Sequence, residues 1–224
     1  MSVRELLAEV DSVANVKGVI FDCDGVLVDS MEANRLYYNL IRAKLGLLPM
    51  TPQEEEFVHA HAVGPSVAHI VPVERLGEAE AARREIDYAA ETAALTYLQE
   101  GLVKFLDVLR GLGIRMAVNT NRTNSMHELL ETFDLTEYFD PVITAGDVSH
   151  PKPNPEGMHK ILRAWDISRF EAVYIGDTVV DEQAARAAGV PFWAFKNPKL
   201  AALRHAADFD ALRRLFQAKP GQGR

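Results

Sequence analysis

Two aspartates, Asp22 and Asp24, stand one residue apart directly behind the apolar run Val19-Ile20-Phe21. Carboxylates beside a core strand are costly to bury unless a cation compensates them. More polar groups occur at similar places. The run IRMAVNT (114–120) ends in Thr120 with Asn121 behind it, and AVYIGD (172–177) ends in Asp177, with Asp181 four residues further on. In an open parallel sheet such strand ends face one crevice. Three or four aspartates, a hydroxyl and an amide would then share a small space. Oxygen ligands of this kind suit Mg2+, a hard cation held by one or two carboxylates together with water and substrate phosphate. The second cation is Lys152 in HPKPNPE (150–156), where three prolines stiffen the loop and reduce the entropy lost on holding the side chain. A compact ammonium is a good point charge for a phosphate oxygen. The chemistry this set points to is phosphoryl transfer, in which positioning and charge neutralisation do most of the work. One aspartate can act as a covalent nucleophile. The other can protonate the leaving oxygen and then activate water.

These residues need strands to carry them. Short runs rich in Val and Ile predict strands at 17–22, 114–120 and 172–177, with PVITA (141–145) and PFWAF (191–195) as two more. Helical patterns lie between them at 102–112, 125–133, 155–165 and 181–189, the last stopping at Gly189. Strands alternating with helices predict an α/β fold, a three-layer, Rossmann-like parallel sheet. Residues 31–100 break the rhythm. SMEANRLYYNLIRAKLGL reads as one helix, and TPQEEEFVHAHA as a second with Thr51 as N-cap and Pro52 at the first position. EAEAARREIDYAAETAALTYL reads as a third, long one. The expected organisation is a catalytic core of 1–30 and 101–224 with an inserted all-helical cap domain at 31–100. The first sixteen residues read as an amphipathic helix rather than a signal peptide, and the tail AKPGQGR as disordered.

The 224 residues carry 24 basic and 32 acidic side chains, a net charge of −8. That balance argues against nucleic acid or an anionic membrane as partner, but not against a small anion, which responds to local charge. A single cysteine, Cys23, excludes an intrachain disulfide and fits a reducing compartment. No apolar run approaches the roughly 18 residues of a membrane helix. The expected location is the cytoplasm. Monomer and homodimer both stay open.

DCDGVLVDS, the Thr120-Asn121 strand end, Lys152-Pro-x-Pro and GDTVVDEQAARAAG resemble, in order, the four motifs of the haloacid dehalogenase superfamily of aspartate-nucleophile phosphohydrolases. A helical insert directly after the first motif resembles its helical-cap subgroup, which includes phosphoglycolate phosphatase and β-phosphoglucomutase. The resemblance implies Asp22 as nucleophile and Mg2+ ligand, with Asp24 as general acid/base, ligating through its backbone carbonyl. It implies Thr120 and Asn121 as holders of the phosphoryl group and Lys152 as its counter-charge. Asp177 and Asp181 are then metal ligands. Related caps carry a substrate-contacting loop at the place of AVGPS (62–66), which makes Gly64 a substrate-site candidate. The implied activity is Mg2+-dependent hydrolysis of a small phosphorylated metabolite through an aspartyl-phosphate. A phosphomutase on the same scaffold is the alternative.

Other readings fit less well. A phospho-receiver signalling domain also clusters aspartates with a Thr and a Lys-Pro. It places its phosphoacceptor before them and has no counterpart to the insert. A thiol phosphatase built on Cys23 needs an arginine six residues on, where Asp29 stands. Cys23 reads instead as a small buried filler, and Asp29 as part of the turn leading into the insert. His59 and His61 lie two apart, on different faces of a helix, which does not suit a zinc pair.

Overall fold

The computed structural model describes residues 13–123 and 125–218. Most of the expected N-terminal amphipathic helix, and the tail beyond 218, lie outside the described residues. Six parallel strands form one sheet in the order β5-β4-β1-β6-β7-β8. They are β1 (Gly18–Phe21), β4 (Arg115–Asn119), β5 (Val142–Ile143), β6 (Ala172–Gly176), β7 (Phe192–Phe195) and β8 (Arg204–Ala206). The chain steps from β1 to β4 on one side and to β6 on the other, so the sheet switches direction around β1. The register is tight: Phe21 lies beside Val118 on one neighbour and Ile175 on the other. The three strands therefore end level, and Asp22, Thr120 and Asp177 leave the sheet within one crevice.

Side chains alternate across β1. Val19 and Phe21 enter one core, with α6 (Leu102–Gly111), α7 (Ser125–Thr132) and α10 (Phe209–Gln217). Ile20 enters the other, with α8 (Glu156–Trp165) and α9 (Val179–Ala188). Both faces of the sheet are thus covered, as parallel sheets require. β8 and α10 add to the elements expected above; FDALRRLFQ has helical spacing, and Phe209, Leu212 and Phe216 bury one face of it.

The insert contains α1 (Met31–Lys44), α2 (Pro52–Ala60), α3 (Val63–Ile70), α4 (Leu76–Arg84) and α5 (Tyr88–Thr92). Its helices pack around a hydrophobic cluster of their own that includes Tyr38, Ile41, Val58 and Ile70. The capping box at Thr51 and Glu54 forms as expected, with Pro52 as first residue. The expectations for 78–98, for Asp29 and for 62–66 need correction. The single long helix expected over 78–98 is broken: α4 stops at Arg84 with Glu85 as its cap, α5 is short, and Tyr97-Leu98 form a strand, β3. β3 pairs antiparallel with β2 (Val28–Asp29). Asp29 is therefore an exposed strand residue rather than part of a turn. This two-stranded ribbon is where the chain enters and leaves the insert. The segment 62–66 is likewise not a loop: Val63 to Ser66 form the first turn of α3.

Phe105 of α6 is fully buried and meets the rings of Phe21, Phe209 and Phe216. Phe105→Ala is expected to lower stability by about 3–5 kcal/mol, measurable as a reduced urea midpoint with an unchanged slope.

Candidate active site

The strand geometry of β1 does not persist to Asp24. The strand ends at Phe21, and Gly25 has φ +78°, a left-handed conformation that glycine adopts without penalty. A Cβ at Gly25 would also collide with the Asp177 carboxylate. The two aspartates therefore do not point the same way. Asp22 lies 6 % exposed among Lys152, Asp177 and Asp181. Asp24 turns to Arg122 and Ser30.

Lys152 is the hub of the first group. Its Nζ is 2.7 Å from Asp22 Oδ1 and 2.7 Å from Asp181 Oδ1, and it donates to the Tyr174 hydroxyl at 3.0 Å. Asp22 Oδ1 also accepts from the Cys23 N–H at 2.7 Å. Asp181 is fully buried and fully bonded: Tyr174 OH donates to Oδ1 at 2.7 Å, while the N–H and hydroxyl of Thr178 donate to Oδ2 at 3.0 and 2.6 Å. The N-cap of α9 is thus Thr178, and Asp181 closes the capping box from inside the helix. Gly176 has no room for a side chain, because a Cβ there would meet that of Asp181.

Three carboxylates share one ammonium here. Burial and the Asp181 charge push Asp22 up to about 7 despite Lys152. Burial and the Asp181 and Asp22 charges push Asp177 well above the usual range. Burial acts on Asp181 in the same sense, but Lys152 and its hydrogen bonds outweigh it and lower it. The cluster thus lacks positive charge. Asp177 Oδ1 is buried without a hydrogen-bond partner, and ligand oxygens of Asp22, Asp177 and Asp181 lie within 4.8 Å of one another. A divalent, oxygen-seeking cation fits that donor set and supplies the missing charge. The Asp24 carboxylate is not part of this group.

Asp24 forms a two-pronged pair with Arg122: Nε to Oδ2 at 2.9 Å and Nη2 to Oδ1 at 2.7 Å, with Ser30 Oγ also donating to Oδ1. Burial raises this carboxyl, but the guanidinium prevails and holds it at about 2. Thr120 Oγ1 accepts from the Arg122 N–H at 3.1 Å, so its own hydrogen is left to donate. The Asn121 amide donates to the carbonyls of Lys152 and Ala60 at 3.2 and 3.3 Å, which leaves its Oδ1 buried without a partner. An acceptor oxygen repels phosphate, so any hold Asn121 has on an anion would come from its backbone N–H.

Above these groups lies a cavity of about 350 Å3, closed by Tyr37, Val58, His59, Arg83 and Tyr88 of the insert. Gly64 does not line it; that residue faces a separate depression beside Pro65 and Pro151. His59 does line it. Its Nδ1 meets Asn34 Nδ2 at 3.1 Å, which fixes the ring proton on Nε2, 3.9 Å from Asp177 Oδ2. Burial lowers its pKa, so the ring is a neutral donor. His61 lines the cavity too, stacked on Phe57; His69 stacks on the same ring, and Arg75 pairs with Glu78. Cys23 is buried, and burial pushes its thiol up, as an inert filler requires.

Sequence reasoning missed Arg122, Tyr174, Ser30 and Tyr88. The Arg122 signal was available: it directly follows Thr120-Asn121 at the rim where the acids gather. Tyr174 lies inside an apolar strand and gives no such sign.

The comparisons agree with this geometry. Residues 19–195 match the haloacid dehalogenase-like hydrolase family. A phosphoglycolate phosphatase of Rhodobacter capsulatus is 32% identical over 220 residues, covering 91% of this chain and 94% of that protein. One from Cereibacter sphaeroides is 29% identical over 187 residues, covering 80% of this chain and 84% of that protein. The crystal structure of a HAD-superfamily hydrolase, subfamily IA, from Geobacter sulfurreducens is 35% identical, with a TM-score of 0.77 over 89% of this chain and 99% of that one. The chain therefore belongs to the haloacid dehalogenase-like hydrolases, on their phosphatase branch.

Proposed function

We propose that the protein is a Mg2+-dependent phosphatase that hydrolyses a small phosphorylated metabolite through an aspartyl-phosphate on Asp22. The observation that carries this reading is the group of Asp22, Lys152, Asp177 and Asp181 gathered at the level strand ends, at the floor of a cavity walled by the insert. In the first step the Asp22 carboxylate attacks phosphorus, and the departing alkoxide takes a proton from Asp24. In the second, Asp24 takes a proton from a water that attacks the same phosphorus. Inorganic phosphate leaves and Asp22 is restored. Asp24 is ionised while Arg122 holds it, the form the second step needs; it must loosen from that pair to donate in the first.

Lys152 fixes Asp22 and offsets negative charge on the transferring group. Thr120 donates its hydroxyl to a phosphoryl oxygen, and Asn121 adds its backbone N–H. Asp22, Asp177 and Asp181, with the Asp24 carbonyl, would hold Mg2+, which neutralises phosphoryl oxygens when bound. Residues 31–100 act as a cap over the core of 1–30 and 101–224, excluding water from the first step. A cavity of about 350 Å3 suits a small substrate. Phosphoglycolate, named for the relatives, is the first to test, and those names favour hydrolysis over a mutase reaction. The acidic charge and the single buried cysteine support a cytoplasmic enzyme without nucleic-acid or membrane partners. No described helix is long and apolar enough to cross a membrane.

A panel of phosphometabolites should show phosphate release that chelation abolishes and Mg2+ restores. Asp22→Asn should lower kcat/KM at least about 10³-fold; full activity in that variant would contradict the assignment, and hexose phosphate interconversion with little free phosphate would favour a mutase. Lys152→Met leaves buried carboxylates without their counter-ion. It should cost about 3–5 kcal/mol in urea denaturation, whereas a loss below about 1 kcal/mol, the scale of an exposed pair, would mean the pair contributes little.

A further inference from the structure

Arg122 points two ways. One edge of its guanidinium grips both oxygens of Asp24, and the pair is well shielded, with side chains 7% and 14% exposed. The Nη2 that binds Asp24 also donates to the Tyr88 hydroxyl of α5 at 3.1 Å. The Tyr88 hydroxyl in turn donates to Asn34 Oδ1 of α1 at 3.2 Å, and Asn34 Nδ2 meets His59 Nδ1 of α2 at 3.1 Å. One residue back, Asn121 donates to the carbonyl of Ala60, the last residue of α2. The two residues that follow Thr120 thus hold three helices of the insert, and one of them also holds Asp24.

We propose that Arg122 is a positioning residue that ties the placement of Asp24 to the seating of the cap. The proposal rests on the phosphatase reading for the catalytic meaning of Asp24 and of the cap. A buried guanidinium stays where it is because a carboxylate faces it; without Asp24 it is an uncompensated buried charge. Its outlet is toward water, and the Tyr88 side of the cavity lies in that path. The converse also holds. When the insert swings away, Arg122 loses Tyr88 and keeps only Asp24 and Ser125, the latter at 3.4 Å. Asp24 is then held by a freer partner. Such coupling is reciprocal by thermodynamic necessity: a change at Asp24, which lies in the core, loosens the cap.

The test is amide hydrogen exchange on the full-length protein, which needs no turnover. Asp24→Asn and Tyr88→Phe should each speed exchange at Tyr88–Thr92 and Pro52–Ala60 by about tenfold, within the usual range of site-to-site coupling. Protection of β1, β4 and β6 should be unchanged, which shows that the variants fold. The double variant should be no faster than the faster single one, because both cut the same chain of bonds. Ser30→Ala, which removes a bond to Asp24 without touching Arg122, should leave exchange in the cap as in the wild type. Wild-type protection of the cap in Asp24→Asn, or additive effects in the double variant, would overturn the proposal. Tyr88→Phe should also lower kcat/KM. Turnover is read separately: full activity in Asp24→Asn would overturn its acid/base role, and with it the catalytic meaning of the link, while the exchange data would still report whether the link exists.

Discussion

Two carboxylates buried against one ammonium, with a third, half-buried one beside them, set the terms for this molecule. Lys152 contacts Asp22 and Asp181 at equal distance, and Asp177 has a buried oxygen with no partner at all. In a low-dielectric interior such charges interact strongly over these distances, so an arrangement with excess negative charge persists only if the scaffold enforces it. Several features do so. Gly25 and Gly176 leave room where a side chain would strike Asp177 or Asp181. Thr178 satisfies one oxygen of Asp181 while capping α9. Tyr174 bridges Lys152, Asp181 and the carbonyl of Asn119. The unmet negative charge is what makes a divalent cation fit this group.

The fold follows from the need to bring those residues level. β1 is central, and the strands on either side end in register with it. The insert springs from the same end, through the short β2–β3 ribbon. It has its own apolar cluster, so it can hold its shape while its seating on the core depends on few polar contacts. Among the described residues these include the bonds from Asn121 to Ala60 and from Arg122 to Tyr88, with His59 near Asp177 and Lys196 bonded to Gln99. A fourth acid, Asp24, is kept apart from the Lys152 cluster by its own cation. The two aspartates one residue apart therefore sit in different electrostatic surroundings, one pushed up and one held down. Such separation suits two carboxylates with different tasks.

Most of the sheet was legible because buried parallel strands are short, apolar and end in loop signals; β1, β4, β6 and β7 fall where the runs predicted them. Asp177 was legible as a charge at a strand end, Asp181 by its spacing from Asp177, and Lys152 by the proline-stiffened loop that carries it. What was not legible depended on tertiary context. The Ala/Glu/Arg stretch has helix-forming residues throughout, yet it breaks near Glu85, and its end is drawn into β3 by pairing with β2. The spacing of Asp22 and Asp24 suggested one shared direction, but the turn at Gly25 separates them. Gly64 was placed by resemblance in a loop; it instead lies in the first turn of α3 and faces another depression, while its neighbour Val63 lines the main cavity as well. Tyr174 reads as one more core aromatic until its hydroxyl is seen between Lys152 and Asp181.

The central claim is that Asp22 carries the phosphoryl group. The most direct measurement is a single turnover with Mg2+ and an active substrate, quenched in acid within the first turnover and mapped by peptide mass spectrometry. The account predicts one phosphoryl group on the peptide containing Asp22, removed by hydroxylamine as an acyl phosphate is, and absent in Asp22→Asn. Phosphate release with no phosphorylated peptide at any quench time, or a phosphoryl group on another residue, would contradict it.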